Sequence, residues 1–207
     1  MGAKTWMLVH SRGNPAEILK AQPSLDRDAT TALVRKLFAL EKPEVLDDGD
    51  LYDTCPDDDE IIAASFPGLT VLAAVEFGID TPSQLSSQFI DAFGEGTVYL
   101  HAMHSAVDWF AYAIWKDGKL QRSLSLSPDS GVLEDIGERL AFEEPYWNGE
   151  HPAVDPDEDD MDYPFVFHPL ELGEAALLAL FGYQLEGVVD PSQVQPEDIS
   201  LMCFKRE

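Results

Sequence analysis

The sequence predicts an α+β fold: a single domain with a mixed, mainly antiparallel sheet flanked by helices. Three observations carry that prediction. Apolar runs of strand length outnumber amphipathic stretches of helix length. Two pairs of those runs flank turn dipeptides, Pro67-Gly68 and Asp117-Gly118. The helical stretches open on capping residues and close on Pro or Gly. A chain of 207 residues, 45% hydrophobic and 10% aromatic, can fill a core. Folded and unfolded areas of roughly 9,600 and 33,000 Å² would bury about 70% of its surface. One domain over residues 1–207 is the expectation.

Thr5 to His10 is apolar and partly β-branched, and predicts a buried first strand. Asn14-Pro15-Ala16-Glu17 supplies a cap, a proline at the first helical position and an early acid, so a short helix follows, stopped by Pro23. A second helix is predicted from Arg27 to Leu40, with Ala29, Ala32, Leu33, Leu37 and Leu40 on its apolar face and Pro43 beyond. Glu41 to Glu60 reads as a charged loop. Ile61 to Phe66 and Leu69 to Phe77 form a hairpin around Pro67-Gly68. Thr81-Pro82-Ser83-Gln84 has the form of a capping box and predicts a helix to about Phe93, with Gly94 beyond. Thr97 to His101 is a further strand.

Trp109 to Lys116 and Lys119 to Leu126 flank Asp117-Gly118, the preferred pair for a type I′ hairpin. A regular ladder from that turn sets Trp115 opposite Leu120, Ala113 opposite Arg122 and Asp108 opposite Ser127. The first of these strands is apolar on both faces and is predicted to be central. Gly131 to Asp162 reads as irregular and acidic. Leu170 to Phe181 is a helix closed by Gly182, and Ser200 to Phe204 a last strand.

The net charge of −26 is uneven. Residues 41–60 hold ten acids and one lysine; residues 134–162 hold twelve acids and one arginine. Those 49 residues carry −20 of the total. The densest run is Asp155-Pro156-Asp157-Glu158-Asp159-Asp160. It reads as a solvated loop or as a docking surface for a basic protein. The regular calcium-loop spacing of Asp, Gly and Glu occurs nowhere, which leaves an irregular carboxylate site as the calcium alternative. A sequence pI near 4.2 argues against nucleic acid and anionic membranes, which need a positive field. No apolar run approaches the roughly 18 residues of a membrane span, and the first residues lack a signal peptide's apolar run. Two cysteines, Cys55 and Cys203, make no disulfide framework and suit a cytoplasmic protein.

The richest chemistry lies in His101-Ala102-Met103-His104-Ser105-Ala106-Val107-Asp108-Trp109. Two imidazoles and a carboxylate, His101, His104 and Asp108, are the donors a metal with an open position needs. On a strand, however, His101 and His104 would point to opposite faces. Ser105 or Ser130 could act as nucleophile with His104 as base and Asp108 as orienter, although no Gly-x-Ser-x-Gly elbow accompanies them. The plainer alternative is that Asp108, Ser105 and Ser127 satisfy loop backbone groups. Tyr146 and Trp147 could stack on a ligand or partner, or anchor their loop to the core. His151 and His168 could join the cluster in space. The sequence holds no phosphate loop, dinucleotide fingerprint or paired Cys-x-x-Cys, and predicts no cofactor.

Met1-Gly2-Ala3-Lys4-Thr5, His101 to Ser105 with Val107-Asp108-Trp109, Ser123 to Gly131, Pro145-Tyr146-Trp147 and Phe167 to Gly173 resemble a family of uncharacterised actinobacterial proteins over nearly the whole chain. The resemblance implies a bacterial cytoplasmic protein of one domain, and it implies no activity. It also implies that the acidic run from Asp155 to Asp162 varies within the family. The function expected is a non-catalytic protein that binds a basic protein, of immunity or inhibitor type. The binding residues would be Asp157, Glu158, Asp159 and Asp160, with Tyr146 and Trp147. The alternative is a metal-dependent or serine hydrolase built on His104 and Asp108.

Overall fold

A computed structural model of the chain describes residues 2–154, 163–187 and 190–206. Among the described residues, nine strands form one sheet: β1 (Lys4–Ser11), β2 (Glu44–Val45), β3 (Glu60–Phe66), β4 (Leu69–Ala73), β5 (Thr97–His104), β6 (Trp109–Lys116), β7 (Lys119–Ser127), β8 (Gly131–Ile136) and β9 (Met202–Lys205). Their order is β2-β9-β3-β4-β1-β5-β6-β7-β8, and every pairing is antiparallel, so the sheet is not mixed. Five helices accompany them: α1 (Pro15–Lys20), α2 (Arg27–Leu37), α3 (Ser87–Asp91), α4 (Glu144–Trp147) and α5 (Pro169–Phe181). The acidic run at 155–162, with Asp157, Glu158, Asp159 and Asp160, lies outside the described residues.

Both faces of the sheet are covered, which is why its central strands are apolar on both sides. On one face Met7, Val9, Met103, Phe110, Tyr112 and Leu124 pack under Leu172, Leu177 and Phe181 of α5 and Leu19 of α1. On the other, Leu8, Leu72, Leu100, Ala111 and Trp115 pack under Val34 and Leu37 of α2, Phe77 and Phe89. α1 and α5 match their predicted signals. The Asn14 side chain accepts from the Ala16 and Glu17 amides at 3.0 and 3.4 Å, and Gly182 closes α5 at φ 81°.

Several elements differ from expectation, each for a local reason. The buried stripe of α2 is Thr30, Val34 and Leu37, while Ala29 and Ala32 are exposed. Thr30 is there because its hydroxyl accepts the Ser65 amide at 2.8 Å, joining the helix to β3. The charged loop at 41–60 contains β2, paired with β9, and a 3-10 turn at Leu51–Asp53 capped by Asp50. The helix expected from Thr81 breaks into a 3-10 turn at Pro82–Gln84 and α3. Thr81 makes no cap, and the Ser83 amide and hydroxyl go to Glu134 at 3.0 and 2.5 Å instead. The acidic stretch after Gly131 contains β8 and α4.

The Asp117-Gly118 turn forms, with φ of 49° and 74°, and Trp115 pairs with Leu120. A bulge then shifts the ladder by one residue, so Ile114 pairs with Arg122 and Ala113 with Ser123. A one-residue slip moves every side chain to the other face. Here it carries Arg122, Leu124 and Leu126 to the α5 face and Ser123 and Ser125 to the other. The regular register with Ala113 opposite Arg122 is therefore overturned. Asp108 does not pair with Ser127; it stands outside the ladder in the left-handed region at φ 49°.

The bulge delivers Arg122 to a buried carboxylate. Arg122 is 1% exposed and Glu143 0%. Nε and Nη2 of Arg122 donate to the two oxygens of Glu143 at 2.9 and 2.6 Å. Glu143 also accepts from Tyr112 Oη at 2.5 Å, the Leu140 amide at 2.8 Å and Trp147 Nε1 at 3.4 Å. The Arg122 Nη1 donates to Asp135 at 2.5 Å and to the Ile136 carbonyl at 3.0 Å. Burial opposes the guanidinium's charge, but the bonds to Glu143 and Asp135 outweigh it and its pKa rises. The Tyr112 hydroxyl is held protonated by burial and the adjacent carboxylate.

Replacing Glu143 by Ala should leave Nε and Nη2 of a buried guanidinium without partners, with Asp135 alone still paired to Nη1, and cost about 3–5 kcal/mol in urea-unfolding experiments. The double variant Arg122→Met/Glu143→Leu should recover part of that loss. A cost for Glu143→Ala below about 1 kcal/mol, the range of exposed pairs, would show that the network is solvated.

Candidate functional site

The strand-end cluster is divided by the sheet. His101 pairs with Met7 in register and lies on the α5 face, and His104 pairs with Lys4 and lies on the other. His101 is fully buried, and its Nε2 donates to the Gly173 carbonyl at 3.0 Å. Gly173 makes this approach possible, because a Cβ there would run into Met103 Sδ and Phe110. The remaining His101 nitrogen, Nδ1, is buried with no hydrogen-bond partner among the described residues. Protonating it would bury an unpaired cation, so burial pulls the His101 pKa down to about 4. His104 stacks on Trp6 at 5.6 Å, and burial followed by the Lys4 charge lowers its pKa.

Asp108 turns to His168 instead, with Oδ2 3.6 Å from Nε2. His168 caps α5, its Nδ1 accepting the Leu170 amide at 3.3 Å. Tyr163 stacks on His168 at 5.6 Å; burial and then the Asp108 charge push its hydroxyl up to about 12. Ser105 and Ser130 make no hydrogen bond to a histidine among the described residues. The Ser105 amide donates to the Ala3 carbonyl at 3.1 Å, and the Ser130 amide to Ser127 Oγ at 3.2 Å. No group of three His, Cys, Asp or Glu side chains among the described residues is placed to hold a metal ion. Tyr146 and Trp147 are half-buried, edge-on to Phe167 at 5.8 and 4.9 Å. Tyr146 also stacks on His151 at 4.4 Å. These aromatics hold α4 and its loop to the core. Of the five histidines, only His168 meets a member of the strand-end cluster.

A concavity lies elsewhere. A cleft of about 680 Å³ opens on the α5 face beside β1, β3 and β9. Ala3, Ile62 and Cys203 line its base, and Lys4 stands at its side. One wall is the 47–57 segment, carrying Asp47, Asp48, Asp53 and Asp57; Glu60 and Glu186 complete an acidic rim. The wall is held by backbone as much as by side chains. Buried Leu51 anchors it, Gly49 bridges to Leu201, and the Thr54 carbonyl accepts the Trp6 amide at 2.7 Å. The opposite lip is a strap at Leu185 and Glu186. The Glu174 carboxylate accepts both of its amides, at 2.8 and 3.3 Å, and Glu186 accepts the Ala3 amide at 2.8 Å.

Charge in the cleft is only partly compensated. Asp48 is taken by Arg27 in a two-point bond at 2.6 and 2.9 Å, and that bond lowers its pKa. Burial followed by the Glu60 and Asp53 charges pushes the Cys203 thiol up to about 11. Burial raises Cys55 as well, against the nearby Lys4. Behind the strap, burial raises Glu174 to about 7 despite its two amide bonds. Both thiols are thus neutral and weakly reactive. The surroundings favour cations and disfavour any further negative charge. Sequence reasoning missed this cleft because its walls come from residues 2–4, 47–62, 185–186 and 203, a juxtaposition that no local pattern encodes.

Residues 5–204 match the family of unknown function DUF6928, and the chain belongs to that family. No curated protein and no solved structure matches it.

The His101 environment predicts a pH dependence. Its pKa is about 4 in the fold against 6.5 for the free side chain, so the unfolded chain takes up the proton first. The stability this neutral histidine permits is complete above pH 6.5 and is lost as pH falls toward 4, by roughly 3 kcal/mol. The substitution His101→Gln keeps a donor for Gly173 and cannot titrate. The stability difference between wild type and His101→Gln, read by urea unfolding across this window, should move in the variant's favour as pH falls. A constant difference would contradict the assignment.

Proposed function

We propose that this member of the family is a non-catalytic binding protein that takes a basic protein partner, in the manner of an immunity or inhibitor protein. The observation that carries this reading is the 680 Å³ cleft, whose rim sets five carboxylates beyond the Arg27-paired Asp48 against one lysine, Lys4. Lysine and arginine side chains entering the cleft would exchange solvent for carboxylates that are already placed. Screening limits such attraction to about 8 Å at physiological salt, so the contact must be close and salt-sensitive. A bacterial cytoplasmic setting is part of the proposal, and the free thiols Cys55 and Cys203 fit it.

Calorimetric titration with a polylysine peptide tests this reading. Binding should weaken steeply as NaCl rises. The variant Asp47→Asn/Asp57→Asn/Glu60→Gln should weaken it by about tenfold or more. The control Glu17→Gln/Asp80→Asn/Asp91→Asn removes the same charge from exposed positions away from the cleft and should have little effect. Equal weakening by both sets would reduce the effect to net charge and overturn the site.

A second reading, an acid–base site, rests on the approach of Asp108 to His168 at 3.6 Å. A carboxylate facing a ring nitrogen is the arrangement that orients a catalytic imidazole. The check is hydrolysis of a chromogenic ester. Turnover that His168→Asn abolishes supports it, and turnover unchanged by that substitution, or none at all, removes it.

A further inference from the structure

The lip of the cleft at Leu185 and Glu186 is a partition between two spaces. On one side lies the cleft of about 680 Å³. On the other lies a hollow of about 40 Å³, lined by Gln184, Gly187, Gln193 and Pro196. Tyr52, Leu185 and Glu186 line both. The partition is anchored where it leaves α5: the Gly182 carbonyl accepts the Val194 amide at 2.9 Å, and Tyr183 is buried. It ends at Gly187, whose φ of 134° is a conformation that side chains rarely permit. Between these points, among the described residues, no backbone–backbone hydrogen bond holds 184–187.

The ties that do hold it run through two carboxylates. Glu174 of α5 accepts the Leu185 amide at 2.8 Å and the Glu186 amide at 3.3 Å. Glu186 accepts the Ala3 amide, where the chain enters β1, at 2.8 Å. Among the described residues neither carboxylate is paired with a lysine or arginine. The ionisable groups that face Glu174 are Glu186 on the strap, Tyr183 at its start and Tyr52 on the 47–57 wall, with Asp50 and Glu197 beyond Tyr52. All are acidic or neutral. A closed strap therefore shields Glu174 from water beside a second carboxylate and without a cation, an arrangement that opposes its charge. An open strap returns it to solvent.

We propose that the 184–187 strap is a proton-operated latch on the cleft: it lies closed while Glu174 is protonated and swings out as Glu174 ionises, joining the cleft to the hollow behind it. Closure does not require the charge, because a protonated carboxyl still offers a carbonyl oxygen to the Leu185 amide, the shorter of the two bonds. The direction follows from linkage. In the closed arrangement burial, opposed by the two amides and assisted by Glu186, raises Glu174 from 4.5 to about 7. An arrangement that holds a proton more tightly is favoured by that proton. The preference for closure is complete below pH 4.5 and is lost as pH rises through about 7. The latch operates whatever enters the cleft.

Hydrogen–deuterium exchange of the full chain, read at the Leu185 and Glu186 amides between about pH 5.5 and 8.5 and corrected for the intrinsic rise of exchange with pH, tests the proposal. Protection of both amides should fall by about tenfold or more across that range. The Val194 amide, bonded to the anchored Gly182 carbonyl, should keep its protection. Glu174→Gln retains a carbonyl oxygen for Leu185 and cannot ionise, so it should abolish the fall. Constant protection in the wild type overturns the proposal, as does a fall that persists in Glu174→Gln or one that Val194 shares. Carbon-13 titration of the Glu174 carboxyl in the wild-type chain needs no variant to fold: a midpoint near 7 is expected, and one near 4.5 overturns the latch. None of these readouts involves polylysine, so the latch and the binding site fail separately.

Discussion

A buried guanidinium and a buried carboxylate decide how half of this sheet is covered. Arg122 and Glu143 come from segments twenty-one residues apart, and neither side chain retains contact with water. Removing both charges from solvent is expensive, and it is repaid only when nearly every hydrogen-bonding group finds a partner. Here that completeness draws in Tyr112 from β6, Asp135 from β8, the Leu140 amide and Trp147 from α4. Four elements are thereby set relative to one another. The β7 bulge follows from this need, because without it Arg122 would point to the opposite face.

The same economy governs the acidic side chains. Glu143, Glu134 and Asp135 belong to a segment that looks, by composition, like a solvated polyanion. In the fold all three are engaged with the sheet. By contrast, the 41–60 segment keeps Asp47, Asp53, Asp57 and Glu60 at the rim of a cleft. One excess of negative charge therefore has two structural outcomes. Where a cation or neutral donors are within reach the carboxylates are hydrogen-bonded into the fold, and where they are not they stand at the surface.

Elements written in local chemistry were legible. The Asn14 cap, the Gly182 closure and the hairpins at Pro67-Gly68 and Asp117-Gly118 each depend on residues within a few positions of one another. Elements whose terms lie far apart were not. At Thr81 the capping signal gave no side-chain cap: the Gln84 amide goes to the Thr81 carbonyl, and the Ser83 amide to Glu134, fifty-one residues away. The α2 stripe shifted because Thr30 has a partner on β3. At the strand end, the alternation of a strand correctly separated His101 from His104, but nothing local announced that Asp108 would face His168.

The sequence by itself determined the fold class, the interior rather than edge position of β6, the absence of a cofactor motif and the concentration of charge in two segments. These follow from periodicity, turn chemistry and counting, all of which are local or additive. The tertiary structure alone decided which carboxylates are buried and paired and which line the cleft. It also decided which histidine meets Asp108 and which face of β7 receives Arg122. The physical reason is common to all of them. The state of a charged or polar side chain depends on its nearest neighbours in space, and in an antiparallel sheet a single unpaired residue is enough to exchange one set of neighbours for another.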